Sequence, residues 1–208
     1  MCGRRLRVTL VGMTEAEARE LMHEWVASPA LRTHMECVAA CMQAYAEKLE
    51  PDGAKRERWV VAGLLHDFDY EKHPSKDEHP FVGVEHLRAH HAPGSASPID
   101  DEIIDAILGH AEYSGTPRTT PMQIALFAVD ELAGFIVACC KVRPNGIADL
   151  EPKSVKKKLK DKAFAANVSR EDIRKGLEEL ATLAGVDETQ HIQVCIDALR
   201  RERERLGV

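Results

Sequence analysis

The sequence predicts an all-α protein, and three observations carry that expectation. Helix-start signals recur along the chain: Thr14-Glu15-Ala16-Glu17, Ser28-Pro29, Ser97-Pro98 and Thr120-Pro121 each set a hydroxyl ahead of a run of helix formers. Only Leu6 to Val11 has the character of a strand, and it has no obvious partner strand. No internal repeat is visible at a fixed period.

Taken in order, Thr14 opens a helix to about Ala27 through a capping box with Glu17. Ser28 caps, and Pro29 takes the first position of, a helix to about Leu49. Pro51-Asp52-Gly53 breaks the chain, and a third helix carries Trp59 through His66. Pro80 opens a helix through His90, and Ser97-Pro98 opens another to about His110. Thr120-Pro121 starts a helix to about Lys141, which Arg143-Pro144-Asn145-Gly146 stops. Ser169-Arg170-Glu171-Asp172 reads as a further capped start, and Asp187 caps a last helix ending in the charged run Arg200 to Arg205.

A chain of 208 residues without a Gly/Ser-rich linker is expected to form a single domain that buries about 70% of its unfolded surface. Within it, residues 28–141 form the expected core, and residues 145–208 a helical extension packed on that core. A net charge of −6 argues against nucleic-acid polymers and anionic membranes as partners, while a small nucleotide stays compatible with a locally positive site. No apolar run is read as approaching the ~20 residues that span a bilayer. Arg4-Arg5-Leu6-Arg7 resembles the start of a signal peptide, but the apolar stretch after it is short and acidic residues follow. The six cysteines form no CxxC pair and read as reduced thiols in apolar helices. The expected location is cytoplasmic.

The chemistry centres on His66-Asp67, which ends the apolar run Trp59 to Leu65. Burying a carboxylate there is costly unless a positive charge meets it, and an adjacent imidazole and carboxylate suggest a divalent metal. Histidine with carboxylate suits Mn, Fe, Co, Ni or Zn, whereas an all-oxygen site would suit Mg or Ca. Asp130 poses the same question, mid-helix among Leu126, Phe127, Val129, Leu132 and Phe135 with no lysine or arginine within a turn; Glu131 beside it is expected to face solvent. His34 shares a helix with Val38, Cys41 and Met42, and taken alone such a histidine is more often a core or surface residue than a ligand. His79 and His110 are the further candidates. His86 competes with His79, which is preferred because it precedes a helix-opening proline. His73, His90, His91, His23 and His191 are expected at the surface.

The order His34, His66-Asp67, Asp130, carried on helices, resembles the HD-domain superfamily over residues 34–130. His79-Pro80-Phe81-Val82-Gly83 resembles its His-Pro-x-x-Gly element, and His110 stands where some branches place another histidine. The segment from Val142 to Lys158 is similar to one in uncharacterised bacterial HD hydrolases. The resemblance implies an HD-like helical bundle holding one or two divalent transition-metal ions. His34, His66, Asp67 and Asp130 would hold the first ion, and His79 and His110 the second, bridged by Asp67. Many members place Gly and then Lys soon after His-Asp. Here Phe68-Asp69-Tyr70-Glu71-Lys72 follows, so Lys72 is the shifted candidate for that role and Asp69 or Glu71 for proton transfer. The implied activity is metal-dependent hydrolysis of a small phosphate ester, such as a nucleotide or phosphodiester, with Arg118 the favoured phosphate ligand over Lys153 to Lys162. A diiron oxygenase and a ligand-binding module with a vestigial site are the alternatives. Tyr113 and Glu112, beside His110, are candidates to line the pocket.

Overall fold

Six of the helices begin where a side chain takes up an amide that the first turn leaves unpaired. The computed structural model describes residues 12–208, so the strand expected at Leu6–Val11, the Arg4–Arg7 segment and Cys2 lie outside the described residues. In α1 (Glu15–Trp25) the Thr14 hydroxyl and the Glu17 carboxylate complete the expected capping box. Ser28 caps α2 (Pro29–Leu49), with Pro29 in the first turn where its missing N–H costs nothing. After a 3-10 turn at Gly53–Lys55, α3 (Arg56–Leu65) runs without a side-chain cap, and His66 continues at helical backbone angles.

Pro80 precedes α4 (Phe81–His90). The helix expected from Ser97-Pro98 starts three residues later, as α5 (Asp101–His110). Backbone pairing explains the delay: Pro98 O accepts from Met13 N and Ile99 N donates to His91 O, and the Asp100 carboxylate caps Ile103 N instead. Thr120 and Gln123 cap α6 (Pro121–Lys141), whose bounds match the expectation. The lysine run has its own short helix, α7 (Pro152–Leu159), opened by Pro152. Ser169 caps α8 (Arg170–Ala184), and Asp187 with Gln190 caps α9 (Glu188–Arg201). The charged C-terminal run does not stay in α9 but breaks into the short α10 (Arg203–Leu206).

The described chain is thus ten α-helices with no strand. α2 lies at the centre, against α3, α6 and α9, and α6 is sandwiched among α2, α5, α8 and α9. One apolar cluster runs through all of them. α6 is long and apolar enough to cross a membrane, an element the run-length reading passed over, yet 67% of its apolar window is buried inside the bundle. The described cysteines are buried and unpaired.

His191 corrects the sequence reading, which put it at the surface. It is 1% exposed on α9 and ties the two central helices together. Its Nε2–H donates to Ala128 O of α6 at 3.0 Å, and Tyr45 of α2 donates to its Nδ1 at 2.6 Å. A buried aromatic nitrogen gave no periodic signal, because its partners come from residues far away in sequence. Burial lowers the His191 pKa to about 4, with the Ala128 carbonyl opposing. Below the ordinary pKa of ~6.5 the unfolded chain binds a proton that the folded chain refuses, so stability falls as pH drops from ~6.5 towards 4. We expect His191→Gln to flatten this stretch of the pH–stability curve, measured by urea unfolding. A slope equal to that of the parent would show that His191 is not buried as a neutral group.

Candidate metal centre

The site forms where helices meet at close range. A methyl group on Gly63 would lie 2.7 Å from Ala39 Cα, so glycine lets α3 approach the backbone of α2. That approach sets His66, at the end of α3, beside His34 on α2. The turn after α3 supplies Asp67 and Asp69, the residue before Pro80 is His79, α5 ends on His110, and α6 supplies Asp130.

Two groups of ligand atoms result, sharing Asp67. In the first, Nε2 of His34 and Nε2 of His66 are 3.2 Å apart. Asp130 Oδ1 is 3.0 Å from His34 and 3.4 Å from His66, and Asp67 Oδ2 lies at 3.7 and 3.5 Å from the same two nitrogens. In the second, Nε2 of His79 and Nε2 of His110 are 3.2 Å apart, with Asp67 Oδ1 at 3.2 and 3.3 Å. The structure therefore brings all six sequence-predicted ligands together.

Hydrogen bonds behind the rings decide what these contacts mean. His66 Nδ1 donates to Gly63 O at 2.9 Å, His110 Nδ1 to Ile107 O at 2.5 Å, and His79 Nδ1 to Asp69 Oδ1 at 2.7 Å. Carbonyl and carboxylate oxygens only accept, so each ring carries its proton at Nδ1 and turns a lone pair at Nε2 inward. Three acceptors then face one another at Asp67, His79 and His110, an arrangement that a proton or a metal cation must satisfy. Among the described residues, no lysine or arginine pairs with Asp67 or Asp130. The donor set, imidazole nitrogen with carboxylate oxygen, fits a divalent transition metal.

The titration shifts have the same cause. Burial alone would lower the pKa of His66, but the carboxylates of Asp67 and Asp130 outweigh it and raise it to about 9. His79 is likewise raised to about 9 by Asp67 and Asp69 against the burial effect. Burial pushes the other way on Asp67 and Asp130, and the surrounding imidazoles hold both carboxyls below the usual range. The cluster binds protons strongly because its negative charge lacks a permanent cation.

Five expected roles change. Asp69 is 1% exposed and uses both oxygens, one on His79 Nδ1 and one on Gly83 N at 2.7 Å, so it orients a ligand instead of moving protons. Lys72 sits over the Trp25 ring, 4.6 Å from its centroid, and Glu71 accepts from the Ala27 and Ser28 amides, which turns both towards the α1–α2 junction. Arg118 is held by Glu179, Glu112 and Gly109 O and stacks on Phe127, so its guanidinium is committed to joining α8 to the loop after α5. Glu112 also pairs with Lys175, and it serves that junction, not a pocket.

Nearby, Glu131 does not face solvent: it is half-buried, accepts from Ser169 N at the start of α8, and is raised to about 7 by burial and by Asp130. His86 is half-buried against Trp25 and His90, apart from the ligand groups. Tyr113 is largely exposed, and its pKa rises to about 12 through partial burial and the charges of Asp67 and Asp69. Sequence reasoning missed Tyr70, whose ring centroid is 5.1 Å from that of His79, and the structural work of Gly63 and Gly83. For Gly83 the signal was its place in the His-Pro-x-x-Gly element: a methyl there would meet Asp69 Cγ at 2.9 Å and Phe68 at 2.7 Å.

Comparison with known proteins adds one match: the HD domain family model covers residues 31–134. No curated protein and no solved structure matches the chain.

Because Gly83 makes room for the carboxylate that orients His79, we expect Gly83→Ala to weaken metal binding at the group of Asp67, His79 and His110 by about 10–100-fold and to spare binding at the group of His34, His66 and Asp67. Asp69→Asn, which cannot accept from both His79 and Gly83 in the same pose, should act alike. Metal titration of folded variants checks this; parent-like binding of two ions by both would remove Asp69 from the site.

Proposed function

The chain belongs to the HD-domain family, and on that premise we propose that it is a metal-dependent phosphohydrolase acting on a small phosphate ester, such as a nucleotide or phosphodiester. The observation that carries the reading is the set of inward-facing acceptors shared by Asp67, with no cationic side chain among the described residues to answer them. His34, His66, Asp67 and Asp130 would hold one ion, and Asp67, His79 and His110 a second. A divalent cation there supplies Lewis acidity, bringing a bound water towards a pKa of ~7 and polarising a phosphoryl oxygen.

The protein's own part is positioning. Asp67 offers one oxygen to each ligand group, which fixes their separation. Gly63 O, Ile107 O and Asp69 lock three imidazoles in the tautomer that presents Nε2. His34, Asp67 and Asp130 keep 22%, 17% and 16% of their side-chain surface, while His66, His79 and His110 are nearly closed off, so substrate approaches along the former three. With Arg118 and Lys72 engaged elsewhere, phosphate charge is met at the ligand cluster and not by a side-chain clamp.

The shared carboxylate and six ligands also suit a diiron oxygenase, and metal identity separates the two readings. Protein purified without chelator should contain Mn, Co, Ni or Zn and hydrolyse members of a phosphate-ester panel; two irons per chain with substrate-dependent O2 uptake would replace the hydrolase by the oxygenase.

Elemental analysis of variants should follow the ligand groups. His66→Ala and Asp67→Ala are expected to lose metal altogether, and His79→Ala or His110→Ala only the second ion, all remaining helical by circular dichroism. Full occupancy in the first pair would refute the assignment.

The raised pKa values add a pH dependence. His66 and His79 sit at about 9 without metal, so below that pH a bound ion must displace protons. Affinity should therefore rise from about pH 6 to about 9 and then level off. Calorimetry in buffers of different ionisation enthalpy reads the proton release directly, and none at pH 7 would contradict it.

A further inference from the structure

A groove leaves the ligand cluster at His34 and runs between α2 and α6. It encloses about 660 Å³, within the range of about 300–1,000 Å³ that small-molecule sites occupy. On α2 its wall is Ala30, Thr33 and His34; on α6 it is Gly134, Val137 and Lys141. Asp130, Gly134, Val137 and Lys141 follow helical spacing, so one face of α6 leads from a metal ligand to the far end of the groove. At 1.5 Å per residue that path is about 16 Å long.

The groove's chemistry is uneven. At its inner end stands His34, the one ligand imidazole whose Nδ1 has no hydrogen-bond partner among the described residues. Gly134 faces it: a methyl there would come within 3.6 Å of that nitrogen, so glycine keeps the Nδ1 edge open to the groove. Further out the walls are mostly apolar side chains, closed on the third side by Gly146 and by Leu206, Gly207 and Val208, and Lys141 is the only lysine or arginine among the lining residues. It forms no ion pair among the described residues. A single lysine does not match a polyphosphate chain, which takes several cations.

We propose that this groove receives the leaving group of the phosphate ester, and that the leaving group is an apolar, ring-bearing body about the size of a nucleoside or smaller. The inference rests on the phosphohydrolase reading and adds a substrate class to it. The phosphoryl group sits at His34, Asp67 and Asp130, and the ring lies between Ala30 and Val137.

The test uses three probes on protein carrying its metal: 1-naphthylmethylphosphonate, methylphosphonate without the ring, and 1-naphthylmethanol without the phosphonate. Binding is read by calorimetry or naphthyl fluorescence, and metal content by elemental analysis. The ring should tighten phosphonate binding by about tenfold or more. Ala30→Trp and Val137→Trp fill the groove from opposite walls, so one remains informative where the other folds poorly. Either should remove that gain while methylphosphonate affinity and metal content stay within about twofold. Equal affinity for the two phosphonates in the parent, or parallel loss of both in the variants, overturns the proposal. Naphthylmethanol binding that the variants abolish, with no gain from the phosphonate, overturns the phosphohydrolase reading and leaves an apolar groove.

Discussion

The rest of the structure depends on one carboxylate with two faces. Asp67 turns Oδ2 to the imidazoles of His34 and His66 and Oδ1 to those of His79 and His110. Left to itself, a carboxylate so enclosed would take up a proton; here the imidazoles hold it ionised. The imidazoles are in turn fixed by carbonyls at the ends of α3 and α5 and by Asp69. The helices end where they do in order to deliver these groups, since His66 and His110 are the residues at which α3 and α5 give way to turns. Placing the site at helix ends has a second effect: the carbonyls there are free of intrahelical partners and serve as acceptors for the rings.

Much of this was legible in the sequence because it is local. Thr14, Ser28, Thr120, Ser169 and Asp187 cap the helices they were expected to cap, since a cap needs only its own first turn. The clustering of the six candidate ligands was legible for a different reason: a carboxylate inside an apolar run demands compensation, and the order of the histidines resembles the HD set. What was not legible depends on partners distant in the chain. Arg118 meets Glu179 across 61 residues, and His191 meets Tyr45 across 146. Lys72 is a site candidate in the sequence because it follows His-Asp closely, but in space Trp25 is its neighbour. The late start of α5 has the same origin, for only the pairing of Pro98 with Met13 shows that the segment is held extended.

Asp69 illustrates how a residue can be near the chemistry and yet outside it. It neighbours a ligand in sequence and in space, and in sequence that suggested proton transfer. Its burial and its two hydrogen bonds leave it no oxygen for a substrate. The glycine of the His-Pro-x-x-Gly element belongs to the same device, because a side chain there would push Asp69 off His79. Motif positions that carry no chemistry of their own can thus set the tautomer of one that does.

The helices after residue 145 have a part in the site although they contribute no ligand. Gly176 of α8 approaches α6 so closely that a methyl on it would lie 2.6 Å from Ala128 Cα. His191 of α9 donates to the carbonyl of the same Ala128. Glu131 of α6 then accepts from the amide of Ser169, the residue that caps α8. These three contacts bracket Asp130, two residues after Ala128 and one before Glu131. A carboxylate on a helix can meet a nitrogen at 3.0 Å only if the helix cannot slide or turn, since a rotation by one residue is about 100° and would carry Asp130 away from His34. The family match ends at residue 134, so the clamp on the far side of α6 is built largely from chain outside it. These contacts therefore fix the register of α6, and with it the place of Asp130 beside His34 and His66 and the wall of the groove beyond it.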